Sequence, residues 1–264
     1  TFCHRYNKWV DIGAGIGRLS YAILKQNDYT FREEPYLGIL SDLKNNGDFV
    51  KDRTGTGCKS LFGASLKIDL QEGFPLLTTK KMFYKNILGE ALWFLSGNTD
   101  LPSLRKYQNK EEGSHTIWSD DFNKYQDTSI LNTEGESLGR VYGHQLRETY
   151  HLDVDYSPVL HDQLETLITN IKKVKNDENH PMARRLICSF WNPYDHTEGD
   201  KRWAALPACH TDFQCLVREG KLHIRFAMRS SDSFLGLPYN VSSYAFICHV
   251  LAKLCRLEVG SLLY

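Results

Sequence analysis

The sequence predicts an α+β fold, a large sheet with helices packed against it. Three observations predict it. Runs with apolar residues at helical spacing and runs that alternate at strand spacing both occur, but without strict strand–helix alternation. From Glu34 onward the pattern continues with no repeat and no linker. The chain has 264 residues, enough to bury a substantial core as one large domain, or one domain plus a fragment.

The elements follow in order. "PYLGILSDLKNNG" sets Leu37, Leu40 and Leu43 on one helical face, with Asn45-Asn46-Gly47 as the stop. "KSLFGASLKIDLQ" alternates and reads as one strand. "FYKNILGEALWFLSGNT" is an amphipathic helix ending at Ser96-Gly97. "LHDQLETLITNIKKVKNDENHP" is a second helix running into a polar loop closed by Pro181. "RRLICSFWNP" and "FQCLVREGKLHIRFAMRSSD" supply strands, and "LGLPYN" a turn. "VSSYAFICHVLAKLCRLEVG" is a strongly apolar helix, after which "VGSLLY" begins a strand.

Lys plus Arg and Asp plus Glu each total 32, so no net field draws the chain to nucleic acid or membrane; an anion site has to come from local arginines. The 7 cysteines are scattered and odd in number, with no CxxC pair. That pattern predicts free thiols in a reducing, cytoplasmic setting and neither a disulfide framework nor a zinc site. No apolar run reaches spanning length and the N-terminus has no signal-peptide pattern. The start at Thr1 and the end inside a strand pattern predict truncation at both ends.

Residues 1–33 form a segment apart. "KWVDIGAGIGRLSYAILK" reads as strand, glycine turn and helix start, with Gly13, Gly15 and Gly17 allowing close backbone approach to a ligand. It resembles the nucleotide-binding loop of S-adenosylmethionine-dependent methyltransferases. A domain of that kind needs several more strand–helix units than this segment holds, so the segment is read as a fusion remnant or a chance match.

The chemistry concentrates in "LPACHTDFQCLVREGKLHIRFAMRSSDSFLGLPYN". Cys209-His210 stands one strand away from Arg229-Ser230-Ser231-Asp232. A thiolate is the competent nucleophile, and a cation brought back beside it lowers the thiol pKa. Arginine is also the preferred partner of phosphate, and Arg53, Arg184 and Arg185 join Arg229 as candidates. The ordinary alternatives are a buried structural cysteine and a solvated arginine pair.

"DRTGTG", "FPLLTTKK", "EALWFLSGNT", "TIW", "YGHQLR", "RRLICSFWNP", "LPACH" and "DSFLGLPYNVSSYAF" stand in the order and spacing of the thymidylate synthase family, which includes the pyrimidine nucleotide hydroxymethylases. The chain resembles that family over residues 34–264. The resemblance implies a mixed sheet that pairs sheet to sheet in a homodimer. It implies one-carbon transfer from 5,10-methylenetetrahydrofolate to C5 of dUMP, with no metal. Cys209 would add to C6 of the uracil, with His210 beside it. Glu90 would act as general acid/base through water and Tyr142 would help remove the C5 proton. Arg53, Arg229 and Ser230 would hold the 5′-phosphate, with Arg184 and Arg185 reaching in from the second subunit. Asn240 would pair with the base. Asp232 would meet the pterin, against which Ile117, Trp118, Leu206, Leu235, Gly236 and Tyr239 would pack. The family also continues past "LEVGSLLY", so the resemblance implies a C-terminally incomplete domain.

Departures bear on the product. The family's Pro before the nucleophile is Ala208, its Tyr-Gln before Arg229 is Ala227-Met228, and the Trp of its Gln-Trp-Arg is Leu146. Smaller, less polar residues around C5 fit capture of the exocyclic methylene by water, giving 5-hydroxymethyl-dUMP. Trp118 is retained, which fits the alternative, hydride transfer to give thymidylate, and Asn240 is retained where cytosine-specific members carry Asp, which fits dUMP as the substrate. More remote alternatives are a methyltransferase built on the glycine turn and a non-catalytic nucleotide or RNA binder.

Overall fold

The structure, a computed structural model, describes residues 33–51, 55–126, 134–196 and 203–264. The glycine turn at Gly13–Gly17 and Arg53 lie outside these residues. In chain order the elements are α1 (Glu34–Asn46), β1 (Asp48–Val50), β2 (Cys58–Ser60), β3 (Lys67–Asp69), α2 (Tyr84–Ser96), α3 (Leu101–Tyr107), α4 (Ser119–Tyr125) and α5 (Tyr142–Arg147). They continue with β4 (Thr149–Leu152), β5 (Pro158–His161), α6 (Gln163–Asn176), β6 (Ile187–Ser189), β7 (His210–Arg218), β8 (Lys221–Met228), α7 (Leu237–Cys255) and β9 (Glu258–Leu263).

The main sheet has the order β3-β9-β8-β7-β6. β8 and β9 run parallel and the other pairs antiparallel, which makes the sheet mixed as the sequence predicts. The β7–β8 hairpin turns through Glu219 and Gly220, both at positive φ, as a two-residue hairpin turn requires. A parallel neighbour cannot be reached by so short a turn, and α7 makes the crossover from β8 to β9. One sheet face buries Phe213, Cys215, Val217, Leu222, Ile224 and Phe226, and α7 lies on it, with Tyr244 stacked on Phe226 at 4.1 Å. The other face stays open, with Ile187, Leu216 and Arg225 accessible.

Several predicted elements shift. The alternation at 59–71 is two strands, β2 and β3, because Gly63 at φ +94° turns the chain between them. On α1 the buried stripe runs through Tyr36 and Ile39 with Leu40 and Leu43 beside it, while Leu37 faces solvent. "LGLPYN" is not a free turn: Leu237-Pro238-Tyr239-Asn240 is the first turn of α7, where proline's missing N–H costs nothing. Helices α3 to α5 and the β4–β5 hairpin have no clear periodic signal and escape the sequence reading. α2 ends as predicted, with Gly97 in the left-handed conformation.

One helical glycine permits a close contact and another stands in open space. A Cβ on Gly143, in α5, would lie 2.5 Å from the Asn98 carbonyl oxygen and 2.9 Å from the carbonyl carbon of Gly97. Gly143→Ala should therefore destabilise the protein by about 1–3 kcal/mol, as overpacking does. Gly38→Ala, inside α1 with nothing within 4 Å of the added methyl, should instead stabilise by about 0.5–1 kcal/mol. Urea unfolding of the two variants beside the parent checks both signs.

Candidate active site

Cys209 stands at the mouth of β7, in a segment without regular structure, and its side chain is half-buried. Its N–H donates to the Tyr142 hydroxyl at 2.9 Å, and its carbonyl accepts the Arg229 N–H at 2.9 Å. The second contact joins Cys209 to the residue that follows β8, so the predicted return of Arg229 beside Cys209 is present. The guanidinium itself is exposed; its Nε donates to the Ala208 carbonyl at 2.8 Å and it lies over Trp191. Ser230 beside it is also exposed.

Tyr142 opens α5 and is buried in a ring of aromatic neighbours. Phe94, His210, Phe190 and Trp118 meet it with centroids 4.9 to 5.9 Å away. Phe94 stands one helical turn from Glu90 on α2, so both project from one face. The Glu90 carboxylate accepts the Trp118 indole N–H at 2.7 Å. Burial raises the Glu90 pKa above 4.5, and the indole bond only partly offsets this. Burial also pushes the Tyr142 phenol above its ordinary value, with the Cys209 and Glu90 charges adding to the shift. The phenol thus stays protonated, with its oxygen taking the Cys209 N–H and its O–H free to donate.

His210 is placed differently from the thiol. It is buried, its Nδ1 pairs with the Tyr244 hydroxyl at 2.8 Å, and burial lowers its pKa to about 4, so the ring is neutral at neutral pH. Asn240, in the first turn of α7, donates from Nδ2 to the Met228 sulfur at 3.3 Å. Met228 pairs with His210 across β7 and β8, which sets Ala227 and Met228 beside the nucleophile's strand.

Asp232 caps its own loop, where one carboxylate oxygen accepts the N–H groups of Phe234 at 2.9 Å and Leu235 at 2.7 Å. Tyr239 accepts the Phe83 N–H through its hydroxyl at 3.4 Å, and the Lys80 ammonium lies over the Phe234 and Tyr239 rings. Trp118 is 6% exposed and forms part of the wall, whereas Ile117 is 74% and Leu235 64% exposed. Leu206 and Gly236 are half-buried.

The structure therefore brings Cys209, Tyr142, His210, Arg229, Asn240, Trp118 and Glu90 into one neighbourhood. It does not bring Arg184 and Arg185 there. Both are exposed, and Leu186 beside them bonds Cys215. They sit most of a strand from Cys209, about 20 Å at ~3.3 Å per residue. Among the described residues no group of three or more His, Cys, Asp and Glu side chains is arranged to hold a metal.

Sequence reasoning misses a buried polar cluster beside Tyr142. Asp195 takes Arg140 Nη1 at 3.1 Å on one carboxylate oxygen and Gln145 Nε2 at 2.6 Å on the other. Gln145 belongs to the quoted "YGHQLR" motif, but Asp195 follows "WNP" with no local signal.

A half-buried cysteine whose backbone N–H is held by a buried phenol, with a buried carboxyl on the neighbouring indole, on a mixed α+β sheet, is the equipment of a transferase that works through a cysteine. The thymidylate synthase family model matches residues 34–264, and the chain belongs to that family. It is 42% identical over 234 residues to a probable thymidylate synthase of Escherichia phage T5, covering 88% of this chain and 76% of that protein. It is 40% identical over 232 residues to the thymidylate synthase of Enterobacteria phage T4, covering 87% and 73%. The crystal structure of thymidylate synthase from T4 phage superposes with a TM-score of 0.72 at 38% identity, over 86% of this chain and 72% of that one. The chain is thus a one-carbon transferase of the α+β thymidylate synthase fold, and its co-substrate is methylenetetrahydrofolate. The residues fit such a molecule: exposed apolar Ile117 and Leu235 would flank its rings, and Asp232 keeps a second carboxylate oxygen for them.

Glu90 yields a test that does not depend on turnover. Below pH 4.5 both folded and unfolded chains hold the proton and Glu90 contributes nothing. Above it the unfolded chain releases a proton that the folded chain retains, so stability falls as pH rises towards the folded pKa. Glu90→Gln should be more stable than the parent at pH 7 to 8, with the difference closing at pH 4. A gap that is constant with pH in paired denaturant titrations would contradict the raised pKa.

Proposed function

We propose that the chain transfers a one-carbon unit to C5 of dUMP through a covalent adduct of Cys209, and that its product is 5-hydroxymethyl-dUMP. Methylenetetrahydrofolate supplies the one-carbon unit and, in a methylating enzyme, a hydride as well. Cys209 Sγ adds to C6 of the uracil, which makes C5 nucleophilic. Tyr142 assists loss of the C5 proton and Glu90 exchanges protons at O4 through water. Arg53, Arg229 and Ser230 hold the 5′-phosphate. Asn240 reads the base edge, because an amide both donates and accepts. Asp232, with Ile117, Trp118, Leu206, Leu235, Gly236 and Tyr239, forms the folate surface. His210 backs the nucleophile as a neutral ring.

The observation that carries the product is the composition of the nucleophile's surroundings. Ala208, Ala227 and Met228 replace a proline, a tyrosine and a glutamine of the family pattern, which removes two polar groups and much volume. A roomier pocket favours water over hydride at the exocyclic methylene. The second reading is thymidylate formation, favoured by the names of the T4 and T5 phage relatives and by the retained Trp118. Mass spectrometry of the product from dUMP and methylenetetrahydrofolate separates the two, and thymidylate with stoichiometric dihydrofolate would sink the hydroxymethyl reading. On that reading the triple variant Ala208→Pro, Ala227→Tyr, Met228→Gln should raise the methyl fraction several-fold, with dihydrofolate rising in step.

The active unit is a homodimer, with residues 34–264 as the catalytic domain and 1–33 as a segment apart. Support for the dimer is the open sheet face and the distance of Arg184 and Arg185 from the thiol of their own chain. A partner docked sheet to sheet would bring them to the other subunit's phosphate. Mixing inactive Cys209→Ser with inactive Arg185→Ala subunits should then restore up to about a quarter of parental activity, as heterodimers form with one intact site. No recovery after proven subunit exchange would rule out the shared site. Among the described residues no helix is long and apolar enough to cross a membrane, and the described cysteines are all unpaired. A cytoplasmic setting fits both.

A further inference from the structure

We infer that the Arg140–Asp195 ion pair is a positioning device for the Tyr142–Cys209 contact. The inference rests on the reading above, in which those two residues act on the nucleotide.

Three segments meet at this pair. The first is the approach to α5, residues 138–141, which ends at Tyr142. The second follows β6 and carries Asp195. The third, residues 203–209, carries the nucleophile and has no helix or strand of its own. Its position is set by what it touches. Ala205 N–H donates to the Leu138 carbonyl at 2.9 Å, Arg140 N–H to the Trp203 carbonyl at 2.7 Å, and Gly139 bridges Ala204. The Arg140 guanidinium then lies over the Trp203 ring at 4.2 Å while its Nη1 reaches Asp195. One side chain therefore grips the nucleophile's segment by its ring and the second segment by its carboxylate.

Asp195 completes the clamp from the other side. Its side chain is 1% exposed, and its second oxygen takes Gln145, one turn along α5 from Tyr142. Tyr142 thus stands between two residues anchored to the same carboxylate. A small cleft between these segments is lined by Arg140, Tyr142, Asp195, Leu206 and Ala208. With Ala208 in place of the family's rigid proline, the backbone just before Cys209 is freer to move, and the ion pair adds to the restraint that Arg229 supplies through its bond to the Ala208 carbonyl. A buried carboxylate stripped of its cation, or the reverse, would have to rearrange to find water. The rearrangement open to it is a shift of 203–209 away from α5, which lengthens the bond from Cys209 N–H to the phenol.

The test uses the full-length protein and two variants. Asp195→Asn keeps the shape and removes the charge, and Arg140→Met keeps the stem over Trp203. The readouts are kcat and KM for dUMP, the isotope effect with dUMP deuterated at C5, and thermal unfolding with titration of active sites. Misplacing Tyr142 should slow C5 proton loss specifically. Both variants should lose 10- to 100-fold in kcat per titrated site, with KM for dUMP within about threefold. A primary isotope effect should appear or grow in each. If kcat per titrated site stays within twofold, or falls with no change in isotope effect, the pair is structural only and the inference fails. If Tyr142→Phe turns over at the parental rate, the reading beneath it fails instead, whatever the Asp195 and Arg140 variants do.

Discussion

The bond from the Cys209 N–H to the Tyr142 hydroxyl joins the two halves of the site. Cys209 ends the irregular segment that leads into β7; Tyr142 belongs to the helical layer, at the start of α5. Around it the aromatic ring of Phe94, Trp118, Phe190 and His210 excludes water. Exclusion strengthens the bond and at the same time holds the phenol protonated, so the hydroxyl can accept from the backbone and still donate.

The sheet supplies the remaining precision. Because α7 must cross from β8 to the parallel β9, its first turn is fixed over the end of β8. That turn carries Asn240, and the end of β8 carries Met228 and leads into Arg229. The register of β7 on β8 then sets the same stretch beside Cys209. Asn240, Arg229 and Cys209 are spaced by backbone pairing, in which a slip of one residue would turn the buried side chains outward.

What could be read from the sequence follows from this division. The apolar helix at 241–255, the β7–β8 hairpin and the α2 stop at Gly97 declare themselves by period and turn chemistry. The short helices α3, α4 and α5 do not, since six or seven residues hold too little periodicity to distinguish. The thiol, Glu90, Tyr142 and Asn240 were legible because they lie in motifs whose order matches a family. Asp195 was not, because a single buried carboxylate is recognisable only from partners that are distant in sequence. Nor could spacing reveal that Trp118 would lie in the wall and Ile117 on the surface, as adjacent residues around a helix start can face either way.

Burial sets the electrical character of the pocket as much as its shape. It shifts the carboxyl of Glu90, the phenol of Tyr142 and the imidazole of His210 each towards the uncharged form. Two cationic guanidiniums touch the segment that carries Cys209: Arg229 bonds the Ala208 carbonyl and Arg140 lies over Trp203. On the proposed reading, the negative charge that develops as the uracil ring becomes an enolate meets groups that burial keeps uncharged and, from the solvent side, the exposed guanidinium of Arg229. On that reading the pocket is a preset arrangement of dipoles for an anion that exists only during reaction.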